Sequence, residues 1–171
     1  MSGRAHSGDT IVGGVRRVAF VRTENVNAVY YDHSCDCISE IILNQNQNWS
    51  VIFPKENAAR FTQSVAEDNP NVWTMTLEIS VRLAGGSQKS CADRLKLALR
   101  SGALVVVELN DKTKLLLGYS VKSKCRVPMT LTSAVISAGN SEVKASLCES
   151  FKISWNDTAP ARVVNAYSKH L

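Results

Sequence analysis

The stretch WTMTLEISVRL, residues 73–83, decides the fold class because its apolar and polar side chains alternate over eleven residues. Successive side chains of an extended strand point to opposite faces of a sheet. The pattern therefore predicts one long strand with a buried face and a wet face. The apolar positions are Trp73, Met75, Leu77, Ile79, Val81 and Leu83. The polar positions are Thr74, Thr76, Glu78, Ser80 and Arg82.

A shorter alternating run precedes this strand towards the N-terminus. Phe61 and Val65 are apolar there, whereas Thr62 and Ser64 are polar. The DNPN sequence at residues 68–71 separates the two runs and is rich in residues that favour tight turns. We expect a long antiparallel hairpin. Its wet face is either an ordinary solvated surface or an element shared between neighbouring subunits that closes a larger barrel.

One segment beyond the hairpin has helical periodicity. Ser90 followed by Asp93 resembles a capping box, in which short side chains accept hydrogen bonds from the first turn. Gly102 is placed to end the helix. The apolar stripe consists of Cys91, Leu95, Ala98 and Leu99. The basic face consists of Arg94, Lys96 and Arg100. This face is either a solvated helix surface or a contact with another subunit.

Strands dominate the rest of the chain. We predict them at residues 17–22, 28–31, 38–43, 51–53, 103–109, 114–119, 131–136 and 143–155. Residues 1–14 and 165–171 offer little that could pack, so we expect an N-terminal arm, a β domain over residues 15–164 and a C-terminal tail. The predicted fold class is mostly β, an antiparallel sandwich or barrel with one packed helix.

The charge pattern does not favour a dedicated nucleic-acid binder. The chain of 171 residues has a formal net charge of +5. Its Lys and Arg residues are spread along the sequence, whereas such binders usually gather them into one stripe. We interpret them mainly as a solvated surface, with a phosphate-facing role as the alternative.

Composition also bears on compartment and cysteine chemistry. No stretch approaches the roughly 18 apolar residues that span a bilayer, and the N-terminus does not resemble a signal peptide. We therefore expect no membrane and maturation in the cytoplasm. An odd number of cysteines in a reducing compartment predicts thiols without disulfides. They are Cys35, Cys37, Cys91, Cys125 and Cys148.

Motifs for catalysis are absent from the sequence. It contains no G-x-S-x-G elbow, P-loop, G-x-G-x-x-G or H-E-x-x-H, so we expect neither an enzyme nor a cofactor. His33, Cys35 and Cys37 would project to one side of an extended chain and could offer soft ligands to zinc. A fourth ligand is not evident, and a polar turn between two strands is the preferred interpretation.

The order of these pieces resembles the tail tube proteins of tailed bacteriophages, which are related to the inner tubes of contractile injection systems. The resemblance covers about residues 14–164. It rests on FTQSVAEDNPNVWTMTLEISVRL, SCADRLKLALRSG, ALVVVELNDKTKLLLGYSV and MTLTSAVISAGNSEVKASLCESFKISWNDTAPARVV. The chain departs from the family in an apolar stretch at residues 134–140 and in its basic charge.

The resemblance implies a structural virion protein whose β subunits form stacked hexameric rings, the channel for DNA ejection. The partners would be copies of itself, other tail proteins and double-stranded DNA in transit. The location would be the virion tail, assembled in the host cytoplasm. The channel would be lined by Thr62, Ser64, Thr74, Thr76, Glu78 and Ser80, and the hairpin core would hold Phe61, Val65, Trp73, Met75, Leu77, Ile79 and Val81. Alternatives are a tail terminator or completion protein, and a monomeric basic β-barrel that binds nucleic acid.

Overall fold

A computed structural model describes residues 11–55, 58–65, 67–83, 87–138 and 147–165 of the chain. One α-helix, α1 (Ser87–Ser101), lies within these residues. The strands are β1 (Ile11–Arg22), β2 (Val26–Asp32), β3 (Cys37–Leu43), β4 (Ser50–Ile52), β5 (Arg60–Val65), β6 (Trp73–Arg82), β7 (Ala103–Leu109), β8 (Lys114–Leu117), β9 (Tyr119–Ser120), β10 (Cys125–Arg126), β11 (Thr130–Ala138), β12 (Leu147–Asp157) and β13 (Arg162–Val163). The predicted fold class, mostly β with antiparallel sheets and one helix, is confirmed.

Strand β1 belongs to two sheets. Its residues 11–14 pair with β5, and its residues 15–22 pair with β7, with a register shift between Val15 and Arg17. Sheet A has the order β11-β12-β6-β5 and ends at the first part of β1. Sheet B contains β4, the second part of β1, β7, β8 and β13. A strand that passes from one sheet to the other is a corner of a β-sandwich.

The main core lies between the apolar face of sheet A, sheet B and α1. Leu77 at the centre of β6 is fully buried among residues from all three elements. Of the expected hairpin core, Phe61, Met75, Leu77, Ile79 and Val81 are buried. Val65 and Trp73, next to the hairpin turn, are half-buried. Burial of so many large side chains supplies most of the driving force for this packing.

Sheet B is covered on its second face as well. The hairpin formed by β2 and β3 packs Ile38 and Ile41 against Ala19, Leu104 and Val106. Because both faces are covered, the apolar run of β7 shows no alternation, and all of its residues except the last are buried. A parallel bridge from Ile38 to Val164 joins the β2–β3 hairpin to the C-terminal strand region.

The helix begins earlier than the capping pattern predicts and ends at the predicted glycine. It starts at Ser87, so the prediction of a start at Ser90 is wrong by three residues. Its apolar stripe is confirmed, with Leu95 and Ala98 buried. Gly102 ends the helix at a φ of 110°, and its N–H donates to the carbonyl of Ala98. A left-handed backbone here is easy for glycine and strained for other residues.

Two expected boundaries also differ. Strand β1 begins at Ile11, so the domain starts before residue 15 and the last four residues of the expected arm are strand. Residues 1–10 and 166–171, which hold the rest of the expected arm and most of the expected tail, lie outside the described residues. The expected strand at residues 143–155 is described from Leu147 and continues to Asp157.

Candidate functional site: the polar face and the free edge of sheet A

The polar face of sheet A is a ladder of directly opposed side chains across β5, β6 and β12. Antiparallel register brings the sequence-predicted channel residues together on this face. Thr62 lies opposite Thr76, and Ser64 lies opposite Thr74. We call the following set the polar face: Arg60, Thr62, Ser64, Thr74, Thr76, Glu78, Ser80, Arg82, Ser150, Lys152, Ser154 and Asn156.

Hydroxyl groups of the polar face bond mainly to one another. The Thr74 hydroxyl donates to Oδ1 of Asn156 at 3.0 Å. The hydroxyls of Ser80 and Ser150 are 2.9 Å apart. Ser80 is nearly buried, whereas Thr74 is exposed. The face is therefore partly exposed to solvent, and three of its opposed pairs, Thr74–Asn156, Thr76–Ser154 and Ser80–Ser150, are within hydrogen-bonding distance of each other.

One charged row crosses this face. Glu78 lies between two cations, with its Oε2 accepting from Arg60 Nε at 2.7 Å and its Oε1 3.2 Å from Lys152 Nζ. The hydrogen bond from Arg60, helped by Lys152, holds the pKa of Glu78 below its ordinary value despite partial burial. The row carries two positive charges and one negative charge, so one cation per chain is not neutralised.

The channel residues predicted from the sequence did not include Arg60 of β5 or the polar residues of β12. Ser150, Lys152, Ser154 and Asn156 alternate with the buried Phe151, Ile153 and Trp155, so period-two alternation was the signal that could have found them. Arg60 immediately precedes Phe61 in the same alternation. What the sequence could not give was the pairing partner, because register depends on tertiary packing.

Strand β11 is the free edge of sheet A. Among the described residues it has one strand neighbour, β12, over a register that runs from Thr130 to Ala138. Its sequence TLTSAVISA contains no charge and no proline. Val135 and Ile136 are each 58% exposed. Natural edge strands are usually short, charged or interrupted by proline, since a long apolar edge invites pairing with another chain.

Apolar surface continues from this edge towards the helix. An open groove of about 550 Å³ separates α1 from β11. Its apolar lining is Leu97, Leu99, Met129, Leu131 and Ala134. Leu97 is 57% exposed, although helix residues usually turn such side chains inwards. Asp93, Lys96, Arg100 and Thr130 also line the groove, so its apolar surface has a charged margin.

The three residues of the basic helix face differ in burial: Arg94 and Arg100 are exposed, whereas Lys96 is half-buried. Contact of the two exposed arginines with another subunit stays a prediction. Lys96 does not fit that prediction, because it pairs with the buried Glu149 of β12 and with Asp93 at 3.1 Å. Burial lowers the pKa of Lys96, but its bonds to Glu149 and Asp93 outweigh burial and raise it. Glu149 lies on the otherwise apolar buried face of β12. Its ion pair with Lys96 accounts for a carboxylate at this buried position.

The polar face lacks the combination of cations and aromatic side chains that is typical of a surface that binds single-stranded nucleic acid. Base stacking would need aromatic side chains between the cations. Trp155 instead lies in the core, stacked on Phe61 with ring centroids 6.1 Å apart. Within the described residues, the polar face contains hydroxyls, an amide and four charged groups, and no aromatic side chain.

The cysteine prediction was wrong for one pair. Cys35 and Cys37 form a disulfide in the turn between β2 and β3, whereas Cys91, Cys125 and Cys148 are thiols. The bonded pair does not present two thiolates to zinc with His33. In the part of the chain that the structure describes, no cluster of three or more His, Cys, Asp or Glu residues could hold a metal ion.

Comparison of the chain with protein-family models, curated proteins and solved structures gives no match. Within the described ranges, no helix has the length and apolar character needed to cross a membrane.

Proposed function

We propose that this protein is a structural subunit that assembles with copies of itself through the edges of sheet A, in rings that form a phage tail tube. The free edge β11 carries the proposal, since it is nine residues long, uncharged and partly apolar. Such an edge is a template for strand addition. The apolar groove beside it would be covered in the same contact.

A second edge could receive β11. On the far side of sheet A, residues 11–14 of β1 pair with β5. Strand β7 pairs with β1 only from Val15 onwards. In the described part of the chain, residues 11–14 therefore have β5 as their one strand partner. Pairing of β11 in one copy with this segment in the next would be heterologous. Heterologous contacts close into rings when the rotation between copies permits.

Assembly of this kind would line one side of a ring with the polar face. Most groups of the polar face are neutral, and Glu78 lies between two of its cations, so the excess positive charge is limited to one cation of the charged row and the exposed Arg82. That character suits a channel through which double-stranded DNA passes, because clustered free cations would retain it. The proposal also includes a non-catalytic role, other tail proteins as partners and location in the virion.

Disruption of the free edge tests the assembly. Val135→Lys places a charge on β11 at an exposed position, so the subunit should fold normally. We expect assembly to move to at least about tenfold higher protein concentration, because edge lysines oppose strand addition. The matched control is Phe53→Lys, since Phe53 is also 58% exposed but lies in the loop after β4.

Light scattering after size exclusion, with negative-stain microscopy, separates the outcomes. Rings that stack support a tube subunit, and rings that do not stack support the terminator alternative. A wild-type monomer at high concentration, or equal assembly by Val135→Lys, would overturn the proposal. A dimer would indicate that two β11 edges pair with each other.

The channel assignment has its own test. Thr76→Lys adds one cation per subunit to the polar face, so DNA release should slow and should recover as salt rises. Gln45→Lys, which adds a cation at an exposed turn residue outside sheet A, is the control. Normal release from particles that contain Thr76→Lys would remove the channel assignment and leave the assembly proposal intact.

A further inference from the structure

The disulfide between Cys35 and Cys37 lies at an accessible turn. The two Cα atoms are 5.2 Å apart, with only Asp36 between the cysteines. Cys35 is exposed, whereas Cys37 is 7% exposed. A reagent in solution therefore reaches one sulfur of the bond much more easily than the other.

This disulfide is poorly suited to be a structural crosslink. In the chain-entropy model, stabilisation grows with the logarithm of the length of the closed loop, and this loop spans three residues. The turn is already closed without the bond, because Asp32 lies opposite Cys37 in the β2–β3 ladder. Asp32 Oδ1 also accepts from the N–H of Ser34 at 2.8 Å and from its hydroxyl at 2.6 Å.

The residue inside the small ring is held in an uncommon conformation. Asp36 has a φ of 51°, in the left-handed region that few residues other than glycine, asparagine and aspartate adopt. Its carboxylate accepts from the Tyr31 hydroxyl and, at 2.5 Å, from Nη1 of Arg162 in β13.

From this accessibility, small ring size and held conformation, we propose that Cys35–Cys37 is a thiol–disulfide exchange site for low-molecular-mass thiols. The thiolate of such a thiol attacks the exposed Cys35 sulfur, the disulfide breaks, and Cys37 leaves as a thiolate that takes up a proton. The product is a mixed disulfide on Cys35. A second small thiol then attacks the small-molecule sulfur of that bond, releasing a small-molecule disulfide and leaving two protein thiols. Return of the Cys37 thiolate to Cys35 reverses the first step.

The site is independent of the assembly proposed above, because it lies on the β2–β3 hairpin and not on sheet A. Its exchange can be measured on the full chain whether or not rings form. Glutathione serves as the probe. A Cys125→Ser background removes the exposed thiol that would otherwise react alongside it.

Native protein is equilibrated with mixtures of reduced and oxidised glutathione, alkylated, and digested for mass spectrometry. We expect the Cys35–Cys37 peptide to pass reversibly between disulfide and dithiol as the ratio changes. In Cys37→Ser, oxidised glutathione should modify Cys35 rapidly. In Cys35→Ser, modification of Cys37 should be at least about tenfold slower because of its burial.

Three results would overturn the proposal. The first is a pair that stays oxidised in excess reduced glutathione until the protein is denatured, as a structural disulfide would. The second is a pair that oxidised glutathione cannot oxidise. The third is equal reactivity of the two single cysteines in variants whose circular dichroism matches that of the wild type. The titration of the wild-type pair decides the matter even if a variant fails to fold.

Discussion

Sheets A and B use the same antiparallel pairing but are covered differently. In sheet A, β6 buries Leu77 and leaves Thr76 on the polar face. In sheet B, β7 buries both Val105 and Val106, because α1 and sheet A lie on one side and the β2–β3 hairpin lies on the other. The difference shows that alternation marks a strand with one wet face, whereas a continuous apolar run marks a strand between two layers.

The edges of the two sheets differ in the same way. Sheet B ends at β13, two residues that follow the proline-containing sequence APA at 159–161. Sheet A ends at the nine uncharged residues of β11. A short edge next to a proline is protected against strand addition, and a long apolar edge is not. The β13 edge of sheet B is therefore protected, whereas the β11 edge of sheet A is open to strand addition.

Adjacent lysine substitutions in β7 should give the largest effect. Val105→Lys and Val106→Lys each place a charge without a partner in a buried position, at a cost of more than about 3 kcal/mol. We expect both variants to unfold or to lose most of their stability in urea denaturation. Retention of full stability by either variant would mean that one face of sheet B is open to water.

Lysine substitutions at two adjacent residues of β6, by contrast, should differ from each other in their effect on stability. Leu77→Lys should abolish folding, because Leu77 is fully buried. Thr76→Lys should change the free energy of unfolding by less than about 1 kcal/mol, since it lies on the wet face beside Glu78. Thermal and urea unfolding measure both. A stable Leu77→Lys protein would show that the faces of sheet A are assigned in reverse.

The ion pair between helix and sheet A should have a smaller effect. Lys96→Met leaves the Glu149 carboxylate buried without its main partner, at a cost of about 3 kcal/mol. Lys96→Met combined with Glu149→Leu should recover much of that loss, because the uncompensated charge is gone. A double variant no more stable than Lys96→Met alone would indicate that Glu149 is satisfied by other groups.

The smallest effect should come from the charged row of the polar face. Its cations lower the pKa of Glu78 from its ordinary value of 4.5, so the row stabilises the fold above that pH and loses the contribution as pH falls through the folded-state pKa. Glu78→Gln should cost about 0.5 kcal/mol near neutral pH, since the partly exposed pair is screened by solvent. Urea titrations at several pH values should show this difference disappear in acid.

Local sequence predicted those parts of the molecule that depend on neighbours along the chain. Alternation at residues 73–83 predicted β6 and its two faces, and Gly102 predicted the end of α1. The start of the helix was missed because Ser90 and Asp93 imitate a cap while the helix already begins at Ser87. The Cys35–Cys37 disulfide was not predicted, because the number of cysteines and the expected compartment do not show that a turn brings these two sulfurs together.

The sequence by itself determined the fold class, the apolar face of the hairpin and the polar character of the opposite face. These properties follow from side-chain period and turn chemistry, which act over a few residues. Tertiary structure alone decided that β12 pairs with β6, that Glu149 meets Lys96, and that β11 is left without a second neighbour among the described residues. The physical reason is that pairing partners and edges are set by contacts between residues far apart in sequence, and strand patterns constrain them only to a matching face.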